Sequence, residues 1–133
     1  MNMNEIKCLS KQEYENLIFD KKIKIIAIDG AEIENKNDYF IKISELFSFP
    51  QFETEHDLNY SAYIDWMTDL SWFDNCSIIL VINNFSQFMK SCQQDKDTVM
   101  NIFAEDILPF WDEEVERVVI GGKRRDFNVY CIN

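Results

Sequence analysis

The sequence predicts an α/β fold in which a small, mainly parallel three-stranded sheet is packed with helices. Two apolar, β-branched segments at 22–29 and 77–82 are separated by segments with helical spacing, and a third β-rich segment ends the chain. With 133 residues, three glycines and two prolines, the chain is long enough for one core and shows no linker. We therefore expect a single domain over residues 1–133, in which residues 1–21 form a helical N-terminal extension.

The first two predicted elements are a helix in this extension and the strand that follows it. Ser10 and Glu13 fit a capping box, and apolar residues recur at helical spacing over about 10–19. The strand over 22–29 ends in Asp29-Gly30, a dipeptide that is typical of turns. A turn there begins the connection to the second strand.

Two helices are predicted within that connection. Asn37 or Asp38 can cap the first helix, which runs to about Phe47. Pro50 follows closely and disfavours helical backbone in the residue before it. The second helix runs over about 57–70, and the charge pattern of this helix matters most for function.

The helix over 57–70 has two different faces. Ser61, Asp65 and Asp69 lie together on one side at spacings of four. The opposite side carries an apolar stripe that would face the core and consists of Tyr60, Tyr63, Ile64, Met67 and Leu70. Trp66 stands at the border of the stripe, where a tryptophan is either an ordinary half-buried residue or an anchor for a partner protein.

The second half of the chain contains the remaining elements. Residues 77–82 are nearly all apolar, which predicts a central strand covered on both faces. A helix is predicted over about 98–108, and Pro109 either limits it or restarts it. Residues 127–132 predict a sheet strand, with which the β-rich residues 118–120 could form a hairpin.

The charge of the chain excludes some partners and favours another class. The net charge is −11, whereas proteins that bind free nucleic acid or anionic lipid need positive surfaces. No Lys or Arg occurs between Lys42 and Lys90, although that stretch carries seven acidic residues, and a second acidic stretch covers 95–116. Such segregation predicts an acidic side that attracts a basic protein. Residues 1–11 lack signal-peptide features and no segment is long and apolar enough for a bilayer, so we expect a cytoplasmic protein.

Residues that could carry catalysis or bind a metal are few and scattered. His56 is the only histidine, and the sequence has no phosphate-binding glycine loop or nucleophile elbow. The four cysteines form no CxxC pair, so we expect no zinc site but reduced thiols, with Cys76 and Cys131 as small core residues of strands. Acid–base catalysis by Asp65 and Asp69 would need a cleft, and a solvated helix face explains this pair equally well. We therefore expect neither an enzyme nor a cofactor.

Five short motifs occur in the order and with the spacing of a known family. In chain order they are IAIDG at 26–30, Phe49-Pro50 followed by Phe52, NYSAYID at 59–65 leading to DLSW at 69–72, SIILVINNF at 77–85 and VMNIFAE at 99–105. Over about residues 23–133 the chain thereby resembles the barstar family.

The resemblance implies a barstar-like domain and a function. Members of that family are intracellular inhibitors of ribonucleases, and their acidic helix and preceding loop plug the active site in place of the RNA phosphates. By position, Asp65 matches the main contact aspartate, Glu105 the acidic residue on the later helix, and Phe52 the aromatic contact in the loop. Carboxylates suit this role because the cationic groups that bind phosphate also bind carboxylate. The resemblance implies a monomer that binds one basic nuclease toxin, without direct contact with nucleic acid or membrane.

The sequence departs from the family pattern in the recognition region. Ser61 stands where the family has its first helix aspartate, Phe52 lacks the hydroxyl of the usual tyrosine, and the loop before the helix is about three residues longer. Glu53, Glu55 and Asp57 in that loop could restore the lost charge. These departures suggest a different cognate toxin, such as one delivered by a contact-dependent or other polymorphic toxin system.

The predicted toxin-binding surface combines the loop, the acidic helix and the later helix. It consists of Phe52, Glu53, Glu55, Asp57, Asn59, Ser61, Asp65, Trp66, Asp69 and Glu105. The alternative is a non-catalytic acidic module that regulates another basic protein, because a fold does not determine its function. Turnover that is lost in Asp65→Asn would indicate a small enzyme instead.

Overall fold

In the part of the chain that the structure describes, four parallel strands form one sheet, in the order β1-β4-β3-β2. The computed structural model describes residues 4–19, 22–49, 59–73, 76–117 and 126–133, with side chains as far as Asp112 in the fourth of these ranges. The strands are Ile6–Leu9 (β1), Ile23–Asp29 (β2), Ser77–Asn83 (β3) and Phe127–Ile132 (β4). The α-helices of the described ranges are Lys11–Glu15 (α1), Lys36–Leu46 (α2), Tyr60–Met67 (α3), Gln93–Ile102 (α4) and Leu108–Arg117 (α5).

The fourth strand corrects the prediction of a three-stranded sheet with a helical extension. Residues 6–9 form β1, which pairs in parallel with the outer edge of β4. The expected helix over 10–19 is only the five residues of α1, although its capping box between Ser10 and Glu13 is confirmed. The strand escaped prediction because it is short and exposes Lys7 and Cys8, as sheet-edge strands often do.

The two faces of the sheet carry unequal numbers of helices. The chain passes from β2 to β3 to β4 in one direction across the sheet, and connections of the same hand place their helices on the same face. Helices α2 to α5 cover that face and bury the main core. The other face has a smaller cluster around Ile79, Val81 and Ile132, against which Tyr14 of α1 packs. Residues 78–82 of β3 are all buried, which confirms the predicted central strand.

The carboxyl ends of β2 and β3 are joined closely by the predicted turn at Asp29-Gly30. A Cβ on Gly30 would lie 2.6 Å from the backbone oxygen of Asn84, so only glycine fits this approach. The Asp29 carboxylate accepts hydrogen bonds from the Asn84 side chain at 2.8 Å and from the Ala31 N–H at 3.0 Å. These bonds, chiefly the one from Asn84, lower the pKa of Asp29.

Helix α2 begins two or three residues earlier than its predicted caps, Asn37 and Asp38, imply. The Asp38 N–H donates to the side-chain oxygen of Asn35 at 2.9 Å, so Asn35 is the N-cap and neither Asn37 nor Asp38 caps the helix. The Asp38 carboxylate in turn accepts from the Glu34 N–H at 3.0 Å. Asp38 thus bonds the residue before the cap and not the cap itself, so this pair differs from the capping box of Ser10 and Glu13.

Helices α4 and α5 are joined by the π-helical turn Phe103–Ile107, where a single helix over 98–108 was predicted. Val99, Phe103, Ile107 and Trp111 are all buried at a strict spacing of four. An α-helix has about 3.6 residues per turn, so such a stripe would rotate away from the core unless one turn widened. Helix α5 begins at Leu108, next to Pro109, which agrees with the prediction that Pro109 restarts the helix and not with the alternative that it ends it. The predicted β-rich residues 118–120 and their hairpin lie outside the described residues, and β4 has parallel neighbours, β1 and β3, on both sides.

Candidate functional site

Helix α3 carries Ser61, Asp65 and Trp66 of the predicted binding residues, and its own sequence determines where it begins. The side-chain oxygen of Asn59 accepts a hydrogen bond from the Ala62 N–H at 2.8 Å and caps the helix. This satisfies a backbone donor of the first turn that would otherwise lack a partner. Asn59 therefore has a structural role as the cap. It is also exposed, and its contact with a toxin remains a prediction.

The apolar stripe of α3 faces the core as predicted. Tyr63, Met67 and Leu70 are fully buried, while Tyr60 and Ile64 are half-buried at its margins. The Tyr63 hydroxyl lies 2.6 Å from the hydroxyl of Tyr39 in α2. Burial raises the pKa of both tyrosines, so this pair is neutral and hydrogen-bonded inside the core.

Two further hydrogen bonds hold the ends of α3 against other helices. At the N-terminal end, the Tyr60 hydroxyl donates to the Asp95 carboxylate of α4 at 2.9 Å. Partial burial, and then this bond, raise the pKa of Tyr60. At the C-terminal end, the buried indole N–H of Trp111 in α5 donates to the backbone oxygen of Met67 at 3.1 Å. Because α3 has only eight residues, contacts of this kind must supply most of its stability.

The outer face of α3 presents charge to solvent. Ser61 and Asp65 are exposed on α3, and Asp69 is also exposed but lies beyond the helix, which ends at Met67 and not at residue 70 as predicted. The Asp69 carboxylate accepts a long hydrogen bond of 3.3 Å from the Ser71 N–H in the turn after the helix. Within the described ranges the ion pair is that of Lys7 with Glu5, and neither Asp65 nor Asp69 has a cationic partner there. Among the described residues, neither carboxylate is neutralised by an ion pair.

Trp66 lies beside these carboxylates in a group of three aromatic rings. Its ring packs edge-on against Trp72 at 5.5 Å between centroids and lies 6.1 Å from Phe49. Trp66 and Trp72 are half-buried, whereas Phe49 is buried. The indole N–H of Trp72 donates to the backbone oxygen of Phe47 at 2.8 Å, which fixes that ring. The border position of Trp66 is thus confirmed, and its role as an anchor stays a prediction.

Glu105 is exposed on the π-helical turn Phe103–Ile107, which contacts α3. Phe103 contacts Tyr63 edge to face at 6.4 Å, and both rings point to the core. Asp65 comes two residues after Tyr63, and Glu105 comes two residues after Phe103. Each acid therefore lies on roughly the opposite side of its helix from the buried ring, and both acids are exposed. Glu105 lies within the π-helical turn, a feature that recurs at functional sites. The structure therefore places α3 and the π turn side by side, with acidic residues directed outward.

The loop before α3 contributes predicted residues that the structure does not describe. Phe52, Glu53, Glu55 and Asp57 lie outside the described residues.

Sequence reasoning also missed Asp95, which was noted only as part of an acidic stretch. The helix was predicted to begin at about residue 98, whereas α4 begins at Gln93 and thereby places Asp95 in its first turn.

The described residues offer little for metal binding or nucleophilic chemistry. In the described ranges no group of three His, Cys, Asp or Glu side chains could hold a metal ion. The four cysteines are free. Cys131 is buried in the core, as predicted, and this burial raises the pKa of its thiol to about 12. Cys76 is half-buried just before β3 and not within it, which corrects its placement in a strand. None of the helices in the described ranges is long and apolar enough to span a membrane.

Comparison with known proteins agrees with this arrangement. The family described as barstar (barnase inhibitor) matches residues 23–128, which include β2, β3 and every helix from α2 to α5. No curated protein matches the chain. Strand β1 and helix α1 precede the matched region, so they are additions to the part that the family describes. The match covers most of the chain and confirms the resemblance seen in its motifs: the chain belongs to the barstar family.

Proposed function

We propose that this protein is an immunity protein that binds a basic ribonuclease toxin in the cytoplasm and blocks its active site with α3 and the preceding loop. The observation that supports the proposal is an acidic helix face without a cationic partner in the described residues, on a helix held in place at both ends. Family membership supports an inhibitor-like, non-catalytic protein. The toxin, its delivery by a contact-dependent system and the one-to-one complex belong to the proposal.

The chemistry of a ribonuclease explains why such a face would inhibit it. An enzyme that binds RNA must present cationic groups to the phosphates. Asp65 and Asp69 offer carboxylates that form charge-assisted hydrogen bonds with the same groups. Because α3 is already anchored through Tyr60, Tyr63 and Met67, little conformational freedom is lost when the toxin binds. Inhibition would thus result from occupying the phosphate sites.

The loop and the π turn extend this proposed surface. Phe52, Glu53, Glu55 and Asp57 would surround the active site from one side, and Glu105 from the other. In this proposal the loop acids compensate for Ser61, which replaces a family aspartate. The test replaces Glu53, Glu55 and Asp57 together by Ser and measures the affinity for the toxin at low salt. An unchanged affinity would contradict this part of the proposal.

The test is a titration of the purified chain with the nuclease encoded beside it, at low and high salt. Asp65→Ala should weaken binding by roughly thirtyfold or more, because it leaves a cationic group of the toxin buried without a partner. Glu45→Ala is the matched control, since Glu45 is an exposed acid on α2 and its loss changes the net charge equally. The control should alter affinity only a few-fold through weaker steering.

The outcomes separate the proposal from its alternative. A complex that suppresses nuclease activity and depends on Asp65 but not on Glu45 supports inhibition through α3. A complex that is equally sensitive to both substitutions contradicts a local contact at Asp65. Capture of a basic protein that is not a nuclease, with no effect on nucleases, would favour a regulatory module for another protein.

A further inference from the structure

Two cysteines lie directly opposite each other on neighbouring strands of the sheet. Cys8 of β1 and Cys131 of β4 are partners in the register of this parallel strand pair. Paired strands lie about 4.8 Å apart, and a disulfide needs Cα atoms that are roughly 4.4–6.8 Å apart. The backbone spacing at this pair therefore allows a disulfide to form without a large movement of either strand.

The side chains of these two cysteines also point to the same face of the sheet. Cys131 belongs to the main core, and Ile6, two residues before Cys8, packs against the same core. Alternate residues of a strand share a face, so Cys8 is directed to that face as well. A hydrogen bond joins the two thiol groups. The two sulfur atoms are thus already adjacent in the reduced protein.

The two thiols differ in their access to solvent. Cys8 is exposed, whereas the exposed fraction of Cys131 is 1%. Burial, and then the neighbouring Cys8 thiol, raise the pKa of Cys131 to about 12, although the positive charge of Lys96 acts in the opposite direction. An oxidant in solution therefore reaches Cys8 first. An accessible thiol beside a second, resolving thiol is the arrangement found in redox-sensing cysteine pairs.

The other two cysteines are placed less favourably. Cys76 precedes the first residue of β3, whereas Cys131 pairs with Ile82 near the other end of that strand. Six residues of extended chain separate these positions by about 20 Å, which is too far for a disulfide. Cys92 is half-buried at the N-terminus of α4. Of the four cysteines, Cys8 is the exposed one.

Strand β1 is the element that such a bond would hold. It has four residues and is an edge strand of the described sheet, where it pairs with β4. Short edge elements open locally with a smaller free energy than central strands do. Both cysteines also lie outside residues 23–128, the region that the family describes. The pair is therefore a feature of this chain and not of the matched family region.

We propose that Cys8 and Cys131 form a redox-sensitive dithiol, which a small soluble disulfide oxidises to a disulfide bond that fixes β1 to β4. Disulfides of cytosolic proteins are usually transient and often sense redox conditions, so the reduced pair is the resting state. The proposal concerns the stability of the sheet edge and does not depend on the binding of a nuclease.

The oxidation proceeds by two thiol–disulfide exchanges. The Cys8 thiolate attacks one sulfur of the small disulfide, which forms a mixed disulfide on Cys8 and releases one small thiolate. The Cys131 thiol then loses its proton to solvent and attacks the Cys8 sulfur, so that the Cys8–Cys131 bond forms and the second small thiolate leaves. The protein gives up two electrons and two protons, and the small disulfide is reduced to two thiols.

The test treats the reduced, full-length protein with glutathione disulfide under native conditions. Samples are quenched in acid and examined by intact mass and by peptide mapping without reduction. The native protein should lose the mass of two hydrogen atoms and yield a linked peptide that contains Cys8 and Cys131, and dithiothreitol should reverse both changes. Cys131→Ala should stop at one glutathione on Cys8, and Cys8→Ser should stay unmodified at residue 131.

A matched control removes a thiol that is not part of the pair. Cys92→Ser should form the Cys8–Cys131 bond as completely as the native protein does, because Cys92 takes no part in either exchange. Far-ultraviolet circular dichroism of each variant verifies that it is folded before the reaction. Since Cys8 is exposed, Cys8→Ser should fold even if a change at the buried Cys131 does not.

The effect on β1 is measured by amide hydrogen exchange of residues 6–9. Oxidation should slow their exchange roughly tenfold or more, because local opening of the strand is prevented. The Cys8→Ser protein, treated with the same disulfide, should exchange as the reduced native protein does. This comparison separates the effect of the bond from any general effect of the oxidant.

Two results would overturn the proposal. The first is a native protein that keeps glutathione on Cys8 without closing the bond, or that forms a disulfide through Cys76 or Cys92 instead. The second is an oxidised protein whose residues 6–9 exchange as fast as in the reduced form. Because no toxin is present in these experiments, failure here is distinct from failure of the proposed inhibitor function.

Discussion

The hydrogen bond between Tyr60 and Asp95 connects the acidic helix to α4, and its removal should destabilise the protein measurably. Tyr60→Phe deletes the hydroxyl but keeps the ring that packs on Phe40. The acceptor is a carboxylate at 2.9 Å, and hydrogen bonds to charged groups contribute about 1.5–3 kcal/mol. Both residues are half-buried, so solvent can partly replace the lost partner. We therefore expect a loss of about 1–2 kcal/mol in the free energy of unfolding.

A double-mutant cycle with Asp95→Ala isolates the contribution of this pair. Urea unfolding is followed by circular dichroism, and the change is taken from the midpoint at constant m-value. The coupling free energy should be about 1 kcal/mol, and Asp95→Asn should lose less than Asp95→Ala because its side-chain oxygen still accepts. Tyr130→Phe, at a half-buried tyrosine on the other face of the sheet, is the control. A coupling below about 0.3 kcal/mol would refute the view that this bond anchors α3.

The remaining predictions concern the buried tyrosine pair and the added strand. Tyr39→Phe leaves the Tyr63 hydroxyl buried without its partner and should cost about 1–3 kcal/mol in urea unfolding, whereas adding Tyr63→Phe should cost little more. Burial raises the pKa of both hydroxyls, so the stability of the neutral pair is fully present below the pKa of unfolded tyrosine, about 10, and is lost as the pH rises further. Absorbance at 295 nm should show these two tyrosines ionising only with alkaline unfolding, and early ionisation would contradict the pair. Deletion of residues 1–10 should expose the edge of β4 and increase self-association in sedimentation experiments, while a fully monomeric, equally stable product would show that β1 is dispensable.

The elements that the sequence predicted well are those whose pattern depends on burial. Residues 78–82 are apolar throughout because both faces of β3 are covered. The stripe that contains Tyr63 and Met67 separates cleanly from Asp65 and Asp69 because α3 rests on the core with one face. In both cases a single physical requirement, the removal of apolar surface from water, determines the residue types along the element.

The features that the sequence did not predict depend on contacts with residues far away in the chain, or on a choice between neighbouring residues that are equally suitable by type. Strand β1 exists because β4 offers a free edge, and nothing within residues 6–9 indicates that edge. Asn35 and Asn37 are both capable caps, and only the folded helix shows that Asp38 bonds to Asn35. The π turn results from a four-residue spacing of buried side chains that a wheel drawn for an α-helix does not accommodate.

The placement of charge on α3 is costly for folding. Asp65 lies in the last turn of α3, where the helix dipole disfavours negative charge, and that turn has no basic residue to offset it. Asp69 lies two residues beyond the end of the helix and adds a second negative charge there. The Asp69 carboxylate partly offsets its cost by accepting the Ser71 N–H, whereas the Asp65 carboxylate has no hydrogen bond or ion pair among the described residues. Among the described residues, the Asp65 carboxylate therefore has no contact that offsets its cost, and the anchoring of α3 to three other helices allows the fold to tolerate it.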